Sequence, residues 1–536
     1  MKSHQYEWLH HLDDVIPLEA RRNRISLYTI ALEGWRRGLI LTFHNKLNEN
    51  NKPFFTYSLQ SKERIHYFYE SSGDKNTKEA FKICDDKSLT SEYLSKADVP
   101  IPLGEKFSSK VSVEEIIKYS SKLTYPLVVK PTDESSGRGV ITNILNEKQL
   151  KDSIIQLRQK YNYENIIVQE HVFGDEIRIY VLDNQVIAAT NRLPANVIGD
   201  GKLSVAQLIE EKNEIRKKTP HLYFRPIVID STLRKTIEKQ GFTLDSILKK
   251  NERLFVREVS NISTGGDPID VTDRLTKEQK SIAVAATKAI PGLAHCGVDM
   301  IVPKGSKSGV ILEVNTRPGI GSHLFPMEGK ARDIPAKLID YYFPESRETV
   351  RNDNVFFDLQ AIFDGINDGH ISEIQMKEVP KNKQIGYKWN VSSRLDVLSL
   401  YKYLRKLVID NQLNGHFKSI DKNKMEILIA HENLNAINRF KAYINEKYKL
   451  LQINKCEEEQ FEGPTMIGFR IIEGLNQMSE NELERFYHEN LKEIRKYELS
   501  VQRLERRIEL MEKSSSWKLT KPIRYLSEKT KKNGVT

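Results

Sequence analysis

The chain has 536 residues, a net charge of +10 from 83 Lys+Arg and 73 Asp+Glu, and 39% apolar residues. That length exceeds what one hydrophobic core organises and predicts about three or four domains. A charge this small for the length, with no zinc-ligand cluster and no RNA-binding aromatic signature, argues against a nucleic-acid partner.

Three widely separated cysteines, Cys84, Cys296 and Cys456, make no disulfide framework and point to a reducing compartment. The opening stretch MKSHQYEWLHHLDDV lacks the apolar core of a signal peptide, and no run of about 18 apolar residues occurs. A cytoplasmic protein is expected.

Residues 1–85 are read as an N-terminal α/β segment. ISLYTIALEGWRRGL (26–40) has helical spacing, and PFFTYSLQ and RIHYFYES read as paired strands. DKSLTSEYLSKADVPIP, from Asp86, is a helix stopped by Pro100 and Pro102. YPLVVKP (125–131) is a buried strand and ESSGRGV (134–140) a glycine loop. NIIVQEHV and EIRIYVLDNQVIAATNR read as strands, and helices alternate with strands from there to 350. Over 353–475 the order strand, helix, strand, strand, helix, strand is the split-βαβ plan of ferredoxin-like modules. Over 478–513, Leu483, Tyr487, Asn490, Ile494, Tyr497, Val501, Leu504, Ile508 and Met511 hold alternating steps of 4 and 3, as a coiled coil or an amphipathic helix would. The tail 514–536 sets Lys518, Lys521, Arg524, Lys529, Lys531 and Lys532 among Trp517, Leu519, Ile523 and Leu526. That pattern suits an anionic membrane surface, an acidic partner or a solvated tail.

Three features carry chemistry. Lys130 ends an apolar strand, where an unpaired ammonium is costly unless a cleft receives it. The glycines and serines of ESSGRGV can expose backbone N–H groups to phosphate, although no GK[ST] closes a Walker loop. VQEHVFGDE (168–176) offers a hinge backbone for an adenine and an acid, Glu176, for ribose hydroxyls. CGVDMIV and GVILEVN form two apolar strands joined by a short connector, with Asp299 in the first and Glu313 and Asn315 in the second. Glu313 and Asn315 share a strand face. Carboxylates on buried strands are paired or bind a metal, so ion pairs to basic neighbours are the alternative to hard-oxygen ligation of Mg²⁺.

In order along the chain, DKSLT, YPLVVKP, ESSGRGV, VQEHVFGDEIRIYVL, NRLPANVIGDGKLSVAQLIEE, VREVSNISTGGDPIDVTD, CGVDMIV and ILEVNTRPGIGSH make residues 86–345 resemble an ATP-grasp carboxylate–amine ligase. The resemblance is to the cyanophycin synthetase and bifunctional glutathione synthetase branch, and more distantly to D-alanine–D-alanine ligase. It implies two α+β subdomains gripping ATP over 86–350. Lys87 and Lys130 would contact phosphates, with Ser136, Gly137 and Gly139 in the loop that closes over them. Gln169, Glu170 and Val172 would frame adenine, and Glu176 the ribose. Arg257 would meet phosphate or the acyl-phosphate. Asp299, Glu313 and Asn315 would hold two Mg²⁺, with Mn²⁺ as a substitute. Asn261, Ser263, Thr264, Gly265 and Gly266 match an acceptor-side motif. Arg178 and Arg192 would clamp a substrate carboxylate, and Arg317 would serve the same purpose.

The implied reaction joins a carboxylate to an amine through an acyl-phosphate, with small or polymer-linked substrates. Two departures bear on this. Gly297 stands where the dipeptide ligases carry an arginine; residues 350–536 show no GKT-type P-loop of the Mur-ligase-like domain of cyanophycin synthetase, and the first 85 residues are too few for the amine-ligase domain of the glutathione enzyme. The 353–475 module resembles acylphosphatase in topology, without that family's legible phosphate loop. The tail is similar to the ends of some bacterial envelope-polysaccharide glycosyltransferases. Together these imply a homo-oligomer assembled through the coiled coil, and contact with the inner face of the membrane or an envelope-glycan enzyme. A phosphotransferase and a non-catalytic ATP-binding assembly factor are the competing readings.

Overall fold

A computed structural model describes residues 6–21, 23–47, 53–132, 139–367, 371–394, 397–421, 424–447, 451 and 453–472. The expected coiled coil, 478–513, and basic tail, 514–536, lie outside the described residues, as do Ser136 and Gly137.

Two sheets frame a central cleft. The first has four strands in the order Gly104–Phe107, Ile166–Glu170, Leu127–Pro131 and Ile141–Ile144. Leu127, Val129, Ile166 and Val168 are fully buried beneath two helices, Val113–Ser120 and Glu147–Ile155. The second sheet has five antiparallel strands in the order Asp267–Asp270, Gln185–Leu193, Asp175–Leu182, His295–Val302 and Val310–Asn315. Residues 171–174 link one sheet to the other. Gly174 is required there, because a Cβ would sit 2.2 Å from the Val302 carbonyl oxygen.

The register of the second sheet is set locally. Asp183 and Asn184, at φ 48° and 61°, form a two-residue hairpin turn of the kind that matches strand twist. The turn and a register shift between Tyr180 and Val181 bring Arg178 opposite Thr190, while Arg178 also faces Asp299 on its other side. A register shift after Asp299 leaves Leu312 as a bulge residue, so Asp299 pairs with Glu313 and Gly297 with Asn315. Along these strands Ile177, Ile179, Val298, Met300 and Val314 enter one core, and the alternate residues form the other face.

That other face changes character along its length. Tyr180, Leu182 and Ala188 are buried against the N-terminal unit, sharing one core with Tyr28, Trp35 and Phe43. Glu176, Arg178, Arg192 and Asp299, beyond that cover, are charged. The N-terminal unit is built on the helix Ile25–Arg36 and the strands Ile40–Leu47, Pro53–Gln60 and Ile65–Tyr69.

The expected boundary at 353 is corrected by the strand pairing. The strand Glu373–Gln375 hydrogen-bonds to Ile40–Leu47, and Val355, Phe357, Ile362 and Phe363 enter the N-terminal core. The ferredoxin-like module therefore begins at Ile385. Its strands run Ile453–Phe461, Ile385–Ser393, Lys424–His431, Asn414–Asp421, then Phe469–Ile472 as a parallel fifth. The helices Val397–Asp410 and Leu434–Glu446 cover one face, with Leu404, Phe417, Ile427 and Phe440 in the core. Residues 395–396, ahead of the first helix, lie outside the described residues.

Candidate active site

Lys130 reaches the cleft from the four-stranded sheet, and Glu313 reaches it from the last strand of the five-stranded one. Both line a narrow pocket with Lys87, Cys84 and Gln169. Asp86 caps the helix Lys87–Lys96, accepting from the Ser88 and Leu89 amides, which fixes Lys87 at the helix start. Burial, reinforced by Lys87, pushes the Lys130 ammonium down to about 8, with Glu313 pulling the other way. The Glu313 carboxylate has no hydrogen-bond or ion-pair partner among the described residues. The pocket is about 20 Å³, water-sized rather than nucleotide-sized.

Asp299 is 5% exposed, and its two oxygens meet the Arg178 Nε and Nη2 groups in a fork. Arg192 adds a contact at 3.4 Å and pairs with Glu176 at 2.6 Å. Burial alone would raise the Asp299 carboxyl, but Arg178 and then Arg192 hold it below the usual carboxylate range. Glu176, more weakly compensated, is raised by burial. The ion-pair alternative to metal ligation is thus realised for Asp299 in this conformation. Asn315 Nδ2 lies 3.5 Å from Asp299 Oδ2. No group of three His, Cys, Asp or Glu side chains gathers as a metal cluster among the described residues. Two carboxylates and an amide do line up on adjoining strands, one carboxylate unpartnered. That hard-oxygen set fits Mg²⁺ if Arg178 yields Asp299.

Several expected roles meet other partners. Glu176 faces Arg192 in place of a ribose. Glu170 Oε1 accepts from the Thr124 amide at 2.8 Å, a tie within its own lobe, while its backbone bonds Leu103. Val172 is half-buried in the link between the sheets, and Gln169 lines the pocket. Gly139, at φ 68°, follows the undescribed part of the loop. Arg257 is held by Asp230 through two bonds of 2.9 and 2.8 Å and touches none of Lys130, Asp299 or Glu313. Arg317 lies past the end of the strand, 3.6 Å from Asp85 and over the rings of Tyr69 and Phe81. Asn261, Ser263 and Thr264 make a tight turn, with Asn261 Oδ1 accepting from the Ser263 amide. Gly265, at φ 100°, and Gly266 close that turn, and buried Arg216 donates to the Gly266 carbonyl.

The sequence reading passed over His323. It is 2% exposed, its Nδ1 meets Thr190 Oγ1 at 2.8 Å, and its Nε2 is buried without a partner. Burial and then the Arg178 and Arg192 charges push it down to about 3, so it is neutral. Its signal was the close of ILEVNTRPGIGSH, where a histidine follows two glycines. At Gly297 a Cβ would stand 2.6 Å from Pro318 Cβ and 3.2 Å from Arg178 Cδ, so the site is closed to a larger residue.

The two sheets thus set a lysine from one and a carboxylate from the other on the same pocket. Residues 84–223 match the family model of the RimK-like ATP-grasp domain. The chain carries such a domain, homologous to those of cyanophycin synthetase and bifunctional glutathione synthetase. It is 34% identical over 274 residues to the bifunctional glutathione biosynthesis protein of Enterococcus faecalis, covering 49% of this chain and 36% of that one. It is 34% identical over 272 residues to cyanophycin synthetase of Crocosphaera subtropica, covering 49% and 31%. Among solved structures, a bifunctional glutathione synthetase from Pasteurella multocida matches at 30% identity and a TM-score of 0.45, over 56% of this chain and 42% of that one. D-alanine–D-alanine ligase from Bacillus anthracis matches at 17% identity and a TM-score of 0.29, over 46% and 60%. The chain spans about a third of the length of these curated relatives.

Proposed function

We propose that this protein is an ATP-dependent ligase that joins a carboxylate to an amine through an acyl-phosphate. The observation that carries the reading is Lys130 and Glu313 facing one pocket from opposite lobes of an ATP-grasp domain.

Lys87 and Lys130 bind phosphate oxygens as point charges, and the loop containing Gly139 supplies backbone N–H groups. Asp299, Glu313 and Asn315 would hold Mg²⁺, which when bound neutralises charge on the transferring phosphoryl group. A carboxylate oxygen of the first substrate bonds to the γ-phosphorus as the bond to ADP breaks. The amine lone pair of the second substrate then attacks the acyl carbon, the C–O bond to phosphate breaks, and the ammonium proton passes to solvent. Arg178 and Arg192, released from Asp299, hold a substrate carboxylate and orient it. Neutral His323 presents Nε2 beside them.

The wider setting is also a proposal and rests on sequence. A cytoplasmic oligomer, assembled through 478–513 and held near a membrane by 514–536, would modify an envelope polysaccharide or make a small peptide. No helix among the described residues is long and apolar enough to cross a membrane. The test is phosphate release from ATP and Mg²⁺ with pooled amino acids and sugar acids. Release should depend on substrate and vanish in Glu313→Gln with the fold intact. Unchanged release in that variant removes the metal assignment.

A further inference from the structure

A second cleft, about 660 Å³, opens between the N-terminal unit and the turn that follows Asn315. Arg24 and Arg317 both line it. Arg24 lies 3.8 Å over the Phe363 ring and has no acidic partner among the described residues. Arg317 lies 5.5 Å over Tyr69, and its one ion pair is the long contact to exposed Asp85. The twelve-residue helix Ile25–Arg36 starts here with Arg24 at its N-cap and no side chain capping its amides. Ser26 Oγ accepts from the Ile320 amide at 3.1 Å, tying that helix start to the Arg317 turn. Two groups are left wanting a partner. Ser71, 1% exposed, has an unbonded Oγ, and Glu19 has a buried Oε2 with no hydrogen bond.

We propose that this cleft binds a small molecule carrying a carboxylate and at least one hydrogen-bond donor, the carboxylate held by Arg24 and Arg317. Two guanidiniums and an open helix N-terminus favour an anion, while the carboxylates Glu19 and Glu70, which also line the cleft, favour donors elsewhere on the ligand. Glu19 recovers its lost hydrogen bond only if the ligand donates, and the Ser71 hydroxyl can donate or accept. Aromatic faces at Tyr69 and Phe363 take the ligand body. A carboxylate gripped by two arginines is not the group being activated. Within the proposed reaction it is a spectator acid on one substrate, and in that respect the inference rests on the ligase reading. An amino acid and a sugar acid share this chemistry.

The test is calorimetric binding to the full chain without nucleotide. L-alanine and D-galacturonate carry both features, propionate only the carboxylate, ethanolamine only donors. At least one of the first two should bind saturably, and the arm that binds names the source. That binding should weaken at least tenfold in both Arg24→Met and Arg317→Met, and more modestly in Ser71→Ala. No saturable binding by either acid overturns the proposal. So does binding that survives both arginine changes, or equal binding by propionate or ethanolamine. MgATP affinity, read on wild type and Arg24→Met, should not differ between them. Its absence from wild type would fail the ligase reading while leaving the cleft result intact.

Discussion

Arg178 grips Asp299 across neighbouring strands, nitrogen to oxygen twice, with Asp299 almost wholly out of solvent. Removing the arginine strands a buried carboxylate. Arg178→Met should cost about 3 kcal/mol of stability, as breaking buried pairs does. Because the Asp299 carboxyl is held below its ordinary value, its contribution is present above that value, about 3.9, and fades as pH falls. Urea unfolding at pH 7 and pH 3 checks both points: the variant's deficit should be large at the first and smaller at the second.

Lys130 sets a pH dependence of nucleotide binding. Its ammonium is pushed down to about 8 in the free protein. A bound phosphate favours the charged form, so binding takes up a proton above that pH. MgATP affinity should be flat below pH 8 and fall as pH rises through 8, by up to about tenfold per unit. Calorimetry between pH 7 and 9 shows it. Lys130→Arg, always charged, should flatten the profile.

Gly174 lies in the link between the two lobes, close against the Val302–Pro303 backbone. An added Cβ meets backbone, not a yielding side chain. Gly174→Ala should lower stability by about 1–3 kcal/mol, as overpacking does. It should also weaken MgATP more than Gly305→Ala, where a Cβ meets open space and the cost is only backbone strain at φ 77°.

Assembly is the prediction furthest from the cleft. A chain cut after residue 477 should be monomeric or differently assembled on light scattering, while keeping MgATP affinity. An unchanged oligomer would contradict the role given to 478–513.

Much of this architecture was legible in sequence because local pattern decided it. Leu127–Pro131, His295–Val302 and Val310–Asn315 are apolar runs with one or two polar interruptions, and two of those, Lys130 and Glu313, line the pocket. What escaped was long-range pairing. Val355–Phe357 and Glu373–Gln375 join strands far away in sequence, one of them over 300 residues earlier, and no periodicity announces that. The Glu176–Arg192 pair was not readable from the Asp183-Asn184 hairpin signal alone: counting outward sets Glu176 opposite Asn191, and the register shift between Tyr180 and Val181 moves Arg192 there. Nor was the turning of Arg317 toward Tyr69, because the strand ends at Asn315 and alternation ends with it.

The most direct measurement of the central claim is a product assay. Purified protein with ATP, Mg²⁺, a carboxylate pool and an amine pool should yield ADP, phosphate and one new amide in equal amounts by mass spectrometry and phosphate release. Glu313→Gln should yield none. ADP formed with a phosphorylated product and no amide, or tight ATP binding with no ADP at all, would contradict the ligase.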